Sequence, residues 1–233
     1  MLTNNYTVKF DSFIRLDKEI FSRVYLYSYL DKNTNLITFD IIHAVTPLIF
    51  KVNPTFIETF IENGQDDFSL SLMRGRSYCV DVADTSAIND CMKEMLLDYT
   101  ENFNFFNVHS IKEYVDKYKV YSDLLSNKSE KMDEECSFNG YEYMILLLYL
   151  KEYDKCVDEI DAYLKTIDDY ITFLSQDKDA VEEQFESAEE EKMYFLDLKE
   201  KVLCKDEHYL SAQNCKFKNN IKNNISLFKS KIG

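Results

Sequence analysis

Two runs rich in β-branched and aromatic residues stand back to back early in the chain, at residues 20–30 (IFSRVYLYSYL) and 36–45 (LITFDIIHAV). The polar segment DKNTN separates them, which is typical of a turn between two strands. We interpret the pair as a β-hairpin. In the second run Ile37, Phe39 and Ile41 share one face, because side chains alternate along a strand. A hairpin is not stable alone, so the chain must supply further strands and a covering helix.

Further strands are predicted on both sides of this hairpin. Residues 7–16 alternate apolar and polar side chains, which indicates one strand before it. Residues 68–72 and 78–82 alternate in the same way around Arg74 and Gly75, a dipeptide that favours a tight turn and therefore a second hairpin. The sequence thus predicts an N-terminal antiparallel sheet of about five strands.

Helices are predicted to cover this sheet. A proline stands at the first helical position of a short helix at residues 54–63. Capping side chains at residues 84–86 precede a second helix, and Ser110 with Glu113 forms a capping box before a third. We expect the second helix to cover one face of the sheet with an apolar stripe of Ile88, Met92, Met95, Leu96 and Tyr99.

From residue 141 onward the pattern is helical only. One helix begins near residue 141, a second follows a break at 151–153, and two more are expected at about 179–203 and 207–229. The polar stretch at 125–136 has no periodicity and is the candidate linker. The predicted fold class is therefore α+β. An antiparallel-sheet domain at residues 1–125 is followed by a helical domain at 137–233 that is like a four-helix bundle.

The whole chain has a net charge of −15, and its negative charge is concentrated between residues 130 and 200. Residues 130–200 contain 22 acidic and 7 basic residues, whereas residues 201–233 contain 2 acidic and 7 basic residues. Such acidity disfavours nucleic acid and anionic membranes as partners and attracts basic proteins or cations. The basic C-terminal helix is expected to dock on the acidic third helix of this half through a stripe of Phe217, Ile221, Ile225 and Phe228.

The sequence predicts a cytoplasmic protein with reduced thiols. Its six cysteines show no C-x-x-C spacing and no dense framework. The first ten residues lack the charged and apolar regions of a secretion signal. The longest apolar run, residues 144–150, is too short to span a bilayer.

No catalytic, metal or cofactor motif is present, so we predict neither an enzyme nor a cofactor or metal site. Phosphate-binding glycine loops and the serine-hydrolase elbow are missing. The three histidines, His43, His109 and His208, are far apart. We interpret His43 as a sheet-face residue and Cys79 as a small core residue, although a Cys–His nucleophile pair assembled in space remains open. Paired carboxylates are interpreted as solvated surface.

Two stretches resemble known families. FDSFIRLDKEIFSRVYLYSYL, LITFDIIHAVTPLIF and RSYCVDVADTSAINDCMKEMLLDY resemble a bacterial α+β domain-of-unknown-function family found near toxin and immunity loci. That resemblance covers the first 120 residues and implies a strand meander closed by a helix. Residues 141–165, with EYMILLLYLKEYDKCVDEIDAYLK, resemble one tetratricopeptide-type helical hairpin, without a second copy at the expected period.

The leading functional hypothesis is a non-catalytic cytoplasmic protein-binding protein, most concretely an immunity protein that neutralises a bacterial toxin through an acidic surface. Its partner would be a basic protein, because complementary charge speeds and orients association. One alternative is an enzyme or small-ligand-binding domain with a pocket between sheet and helices that uses Cys79 or His43. Another is an intracellular scaffold protein. The predicted partner-binding residues are Asp168, Asp169, Glu182, Glu183, Glu186, Glu189, Glu190 and Glu191.

Overall fold

The computed structural model describes residues 7–9, 12–31, 34–51, 72–81, 83–128, 140–177 and 181–232. The chain divides into two units. The first, called the sheet unit, comprises Met1–Ser137 and Lys218–Gly233, and the second, called the helical unit, comprises Phe138–Phe217. The predicted helix at 54–63, and the predicted strand at 68–72 except for its last residue, lie outside the described residues.

Five described strands pair antiparallel in sequence order within the sheet unit. They are β1 (Thr7–Lys9), β2 (Ser12–Leu16), β3 (Ile20–Asp31), β4 (Leu36–Pro47) and β5 (Leu72–Asp81). The predicted hairpin is confirmed, because β3 and β4 pair along their whole length, from Ile20 with Pro47 to Asp31 with Leu36. In its turn Asn35 adopts a left-handed φ of 62°, which asparagine tolerates better than most residues.

Two other strand predictions are wrong. Residues 7–16 do not form one strand, since β1 and β2 pair antiparallel with each other, and alternation reports side-chain faces without reporting chain direction. Arg74 and Gly75 do not form a turn, because β5 runs through them and Gly75 pairs with Ile42. The twelve-residue β4 offers a ladder along all of β5, and this pairing outweighs the local turn preference of the dipeptide.

Helix α1 (Thr85–Phe106) contacts strands β4 and β5, and helix α2 (Ile111–Lys128) contacts strand β4. Asp84 caps the start of helix α1, because its Oδ1 accepts hydrogen bonds from the N–H groups of Ser86 and Ala87 at 2.9 and 3.0 Å. The ring centroid of Tyr99 in α1 lies 5.4 Å from the ring centroid of His43, which is buried. In the part of α2 whose burial is described, the buried residues are Ile111, Tyr114, Val115 and Tyr118.

The predicted inward stripe of α1 is wrong at two positions. Met92 is 60% exposed and Leu96 is 66% exposed. Cys91 is half-buried at the position predicted for Met92, so the inward stripe is rotated around the helix axis relative to the prediction. Since three-residue and four-residue spacings both fit a helical face, periodicity alone does not fix its centre. Among the residues of α1 whose burial is described, the half-buried ones are Ala87, Ile88, Cys91, Met95 and Tyr99.

The opposite face of the sheet packs on the end of the C-terminal helix, α6 (Glu207–Ile232). Residues 218–232 of this helix belong to the sheet unit. Phe228 is fully buried, and its ring stacks on the ring of Phe21 with centroids 4.2 Å apart. Ile14 and Leu48 complete the buried cluster. The predicted apolar stripe of this helix is confirmed, but its predicted docking on the acidic helix is wrong for Phe228.

Two asparagines of α6 bind the chain just after β4. Asn224 Nδ2 donates to the carbonyl oxygens of Leu48 at 2.8 Å and Phe50 at 2.6 Å. Asn220 Nδ2 donates to the Ile49 carbonyl oxygen at 2.8 Å. Because a buried carbonyl without a partner is costly, these amides satisfy the groups that the sheet ladder leaves behind.

The helical unit contains α3 (Gly140–Tyr149), α4 (Tyr153–Gln176), α5 (Glu182–Leu203) and the start of α6. Helix α4 packs against α3 and α5, so the predicted helical C-terminal part and the α+β class are confirmed. The buried residues of α4 recur at steps of three, four and seven, which places them on one side of the helix; they are Cys156, Ile160, Leu164, Ile167 and Leu174.

Lysines in left-handed conformation end two of these helices. Lys151 follows α3 with φ 60°, and Lys205 follows α5 with φ 50°. After each, a backbone N–H reaches back across the last turn, from Glu152 to Leu147 and from Asp206 to Lys201, at 3.0 Å in both cases. These bonds provide donors for carbonyl groups in the last turn that have no partner within the helix. The chain therefore turns tightly at the end of each helix without a glycine.

Candidate functional site

Helix α5 is built from strong helix formers and begins with negative charge. At its start Gln184 Oε1 accepts a hydrogen bond from the Val181 N–H at 3.1 Å. Glu182 and Glu183 lie in the first turn, where carboxylates stabilise the positive end of the helix dipole. The acidic sequence therefore suits the beginning of this helix and does not oppose its formation.

The solvent side of α5 brings together five of the predicted partner-binding residues. The opposite side buries Ala188, Phe195, Leu198 and Val202. At roughly 100° per residue, Glu186 is turned about 160° away from Ala188. Five of the exposed glutamates of α5 share this side, and we call them the α5 acidic face: Glu182, Glu183, Glu186, Glu189 and Glu190.

The α5 acidic face is largely uncompensated. Among the residues that the structure describes, no salt bridge or side-chain hydrogen bond joins Glu182, Glu183, Glu186 or Glu190 to another side chain. Glu189 makes only a longer-range contribution to raising the pKa of Lys192. The face therefore presents a concentrated negative potential to solvent.

Two further predicted residues, Glu191 and Asp168, join α4 to α5. Tyr163 Oη donates to Glu191 Oε1 at 2.7 Å. Lys192 Nζ lies 2.8 Å from Asp168 Oδ1. A second pair lies seven residues away on each helix, where Lys199 Nζ is 2.5 Å from Asp161 Oδ1. The hydrogen bond to Asp168, with its charge, is the main cause of the raised pKa of Lys192. These carboxylates are engaged within the helical unit.

Asp169 lies apart from the other predicted residues. It is exposed on α4. It is nine residues from the buried Ile160, which at roughly 100° per residue places it on the opposite side of that helix. The structure thus gathers five of the eight residues on one face, uses two between helices and separates one.

Tyr163 is expected to remain protonated at pH 10.5, where free tyrosine is mostly ionised. Burial first, and then the hydrogen bond to Glu191 and its charge, raise the pKa of Tyr163 to about 12. Because the folded pKa exceeds the unfolded value of about 10, this contribution to stability is present below pH 10 and is lost between about pH 10 and 12. The measurement is the 13Cζ shift of labelled tyrosine, assigned with Tyr163→Phe.

Glu191→Gln should bring the titration of Tyr163 part of the way back towards its usual range. Burial remains in that variant, so the return is incomplete. N-acetyltyrosinamide serves as the reference. A Tyr163 that is already half ionised near pH 10 in the unaltered protein would show that the contact with Glu191 does not form.

Sequence reasoning missed three exposed apolar residues on α5. Met193 is 63% exposed, Leu196 is 41% exposed and Leu203 is 59% exposed. In the sequence these residues stand among many charged ones, so composition does not indicate them. Their spacing of three and seven is the signal that could have identified them, because it places them along one side of a helix.

The alternative site built on Cys79 and His43 is not assembled. His43 is 1% exposed, which agrees with its interpretation as a sheet-face residue. Cys79 is exposed, so its prediction as a core residue is wrong. Cys79 pairs with Thr38, which is five residues from His43 on the same strand. An odd separation puts the two side chains on opposite faces of the sheet, so they cannot form a nucleophile pair.

A buried arginine organises one edge of the sheet unit. Arg15 is 1% exposed. Its Nη1 donates to Asn107 Oδ1 at 2.5 Å, and its Nη2 donates to Ser22 Oγ at 3.1 Å and to the Val108 carbonyl oxygen. Its Nε lies 3.0 Å from Asp17 Oδ2 as an ion pair. The planar fork of one guanidinium thus joins β2 and β3 to the segment between α1 and α2.

His109 completes this cluster at its exposed side. Its Nδ1 lies 3.1 Å from Asp17 Oδ2, and its Nε2 lies 3.4 Å from Arg15 Nη1. A guanidinium only donates, so a neutral ring with its proton on Nδ1 fits both contacts. A carboxylate behind a histidine also occurs in acid–base sites, but here the outer nitrogen faces a cation and not a nucleophile. These contacts favour a structural role for His109, which anchors the segment that precedes α2.

One open cleft of about 460 Å³ lies in the helical unit, at the start of α4. It is not the pocket between sheet and helices that the alternative hypothesis requires. Lys155 pairs with Glu152 in its wall, so part of its charge is already balanced. The cleft is lined by Lys151, Glu152, Tyr153, Asp154, Lys155 and Lys205.

Within the described ranges, no cluster of three or more histidine, cysteine or acidic side chains is placed to hold a metal ion. No described helix has the length and apolar character needed to cross a bilayer. Comparisons of the chain with protein families, with curated proteins and with solved structures gave no match.

Proposed function

We propose that this protein binds a basic protein partner without catalysis, and most concretely that it is a cytoplasmic immunity protein that neutralises a bacterial toxin. The observation that carries the proposal is the α5 acidic face, whose carboxylates are exposed and largely free of ion pairs in the described part of the chain. The resemblance of the first 120 residues to domains encoded near toxin and immunity loci supports the same class of partner.

The physical argument rests on what the acidic face does and does not do for folding. Asp168 and Glu191 stabilise the contact between α4 and α5, so their charge has a structural use. The outward glutamates have no such contact, and like charges close together on one helix repel one another. A basic partner removes that repulsion on binding, and the field of the face accelerates and orients the encounter. Nucleic acid and anionic membranes would be repelled.

The test is binding to the product of the adjacent gene, which we expect to be a basic protein. In the variant Glu186→Gln with Glu189→Gln and Glu190→Gln, the association rate at low salt should fall by about tenfold or more. The dissociation rate should change less, because charges on the rim of an interface act mainly on association. Stopped-flow kinetics at several salt concentrations would measure both rates.

A matched control changes net charge equally at exposed acids elsewhere, with Glu94→Gln, Glu101→Gln and Asp158→Asn. It should keep the association rate within about twofold, since those charges lie outside the α5 acidic face. Equal slowing in both variants would mean that net charge acts and that α5 is not the site. No binding to the adjacent gene product would contradict the immunity function itself.

A further inference from the structure

We propose that α5 recognises its partner as a helix, namely a basic amphipathic helix whose apolar side packs along an exposed apolar row of α5. The row consists of Met193, Leu196 and Leu203. The inference rests on the proposed function, because it concerns the same helix, and it adds the structural class of the partner segment. Charge alone would suit any basic surface, whereas an apolar row requires a surface with a matching apolar pattern.

The geometry of the row fits another helix. At roughly 100° per residue the three side chains lie within about 80° of one another around the axis of α5. Met193 and Leu203 are separated by about 15 Å along the axis, which is nearly three turns. A partner helix with apolar residues every three or four positions presents its contacts over the same length.

Acidic side chains lie both within this row and beside it. Glu189 and Glu200 lie on the same side of the helix as the row, and Glu186 and Glu190 lie beside it, all exposed. The lysines on the other border are already paired, Lys192 with Asp168 and Lys199 with Asp161. The border therefore offers carboxylates for lysine or arginine residues that flank the apolar side of a partner helix.

The same charges argue against a second copy of this chain as the occupant. Two copies that joined through this row would bring glutamates of one α5 close to glutamates of the other, and like charges across an interface are costly. Single exposed apolar residues are common on protein surfaces and need no explanation. Three in one row, on a helix whose exposed residues are otherwise mostly acidic, carry the inference.

A pair of synthetic peptides tests it. Both have about 18 residues of leucine and lysine only; in one, the leucines repeat at helical spacing along one side. In the other, the same residues are scrambled around the helix. By fluorescence anisotropy with the full chain, the patterned peptide should bind about tenfold or more tightly than the scrambled one. The variant Met193→Ser with Leu196→Ser and Leu203→Ser should abolish that preference.

The control variant removes exposed apolar residues from α1, with Met92→Ser, Leu96→Ser and Leu97→Ser. It should keep the preference, and circular dichroism should show that both variants are folded, since all six positions are exposed. The variant Glu186→Gln with Glu189→Gln and Glu190→Gln should weaken the binding of both peptides and leave the ratio of their affinities nearly unchanged.

Three results would overturn the inference. Equal binding of the two peptides would show that only charge acts, and failure of both to bind would show that α5 does not take a basic helix. A dimer of the full chain in sedimentation that the serine variant abolishes would identify a second copy as the occupant. None of these removes the proposed function, which fails separately if the adjacent gene product does not bind.

Discussion

Replacing Phe228 with alanine is expected to lower the free energy of unfolding of the sheet unit by about 3–5 kcal/mol, the usual range for a buried phenylalanine. The ring is fully buried and stacks on Phe21, which is also fully buried. Its removal leaves a cavity beside Ile14 and Leu48, and helix α6 cannot close it without giving up other contacts. Hydrogen exchange at the amides of β3 and β4 would measure the loss, because it reports on these strands specifically.

Phe173→Ala is the matched control for this experiment. Phe173 is 61% exposed on α4, so its truncation should change stability by no more than about 0.5 kcal/mol. Protection of the sheet amides that is as high in Phe228→Ala as in the unaltered protein would show that the end of α6 is not part of the sheet unit.

Replacing Arg15 with methionine is expected to lower the free energy of unfolding by about 3–5 kcal/mol, because it removes one partner from a buried group of charged and polar atoms. The Val108 carbonyl oxygen and Asn107 Oδ1 would lose their donors, and the carboxylate of Asp17 would lose its strongest cation. Unmade hydrogen bonds at buried atoms account for much of the cost. Urea denaturation followed by circular dichroism would measure it.

Arg15→Lys separates charge from geometry. Lysine keeps the positive charge but cannot reach several acceptors in the plane of a guanidinium, so most of the loss should remain. Lys93→Met is the surface control: Lys93 pairs with Asp90 at 2.7 Å, but both side chains are mostly exposed. Its effect should stay below about 1 kcal/mol. Full stability in Arg15→Lys would mean that the fork of hydrogen bonds contributes little.

The hairpin of β3 and β4 shows how far local pattern reaches. Its strands and turn were predictable, because β-branched and aromatic residues, alternation and a polar turn act over a few neighbouring residues. The helices of the second half were predictable for the same reason, and the boundaries of α5 and α6 agree with the expectations within a few residues. Arg74 and Gly75 show the limit, because a long partner strand overrode their preference for a turn.

In the candidate site, too, some properties follow from local sequence and others depend on tertiary contacts. The acidic character of α5 was visible in the sequence, and five of its glutamates share the exposed face because helical spacing places them there. Composition did not show that Glu191 and Asp168 serve the contact between helices, since that depends on Tyr163 and Lys192 lying opposite them. Whether a given carboxylate is available to a partner is therefore a question of what the neighbouring helix places beside it.

By itself the sequence determined the hairpin of β3 and β4, the helices after residue 140 and where negative charge is concentrated, because these properties follow from neighbouring residues. Only the tertiary structure decided which faces meet. Asn224 binds a carbonyl group 176 residues away in sequence, and Phe228 stacks on a strand near the other end of the chain. The apolar stripe of α6 fits a sheet or a helix equally well, so the choice was made by packing and hydrogen bonding between distant residues.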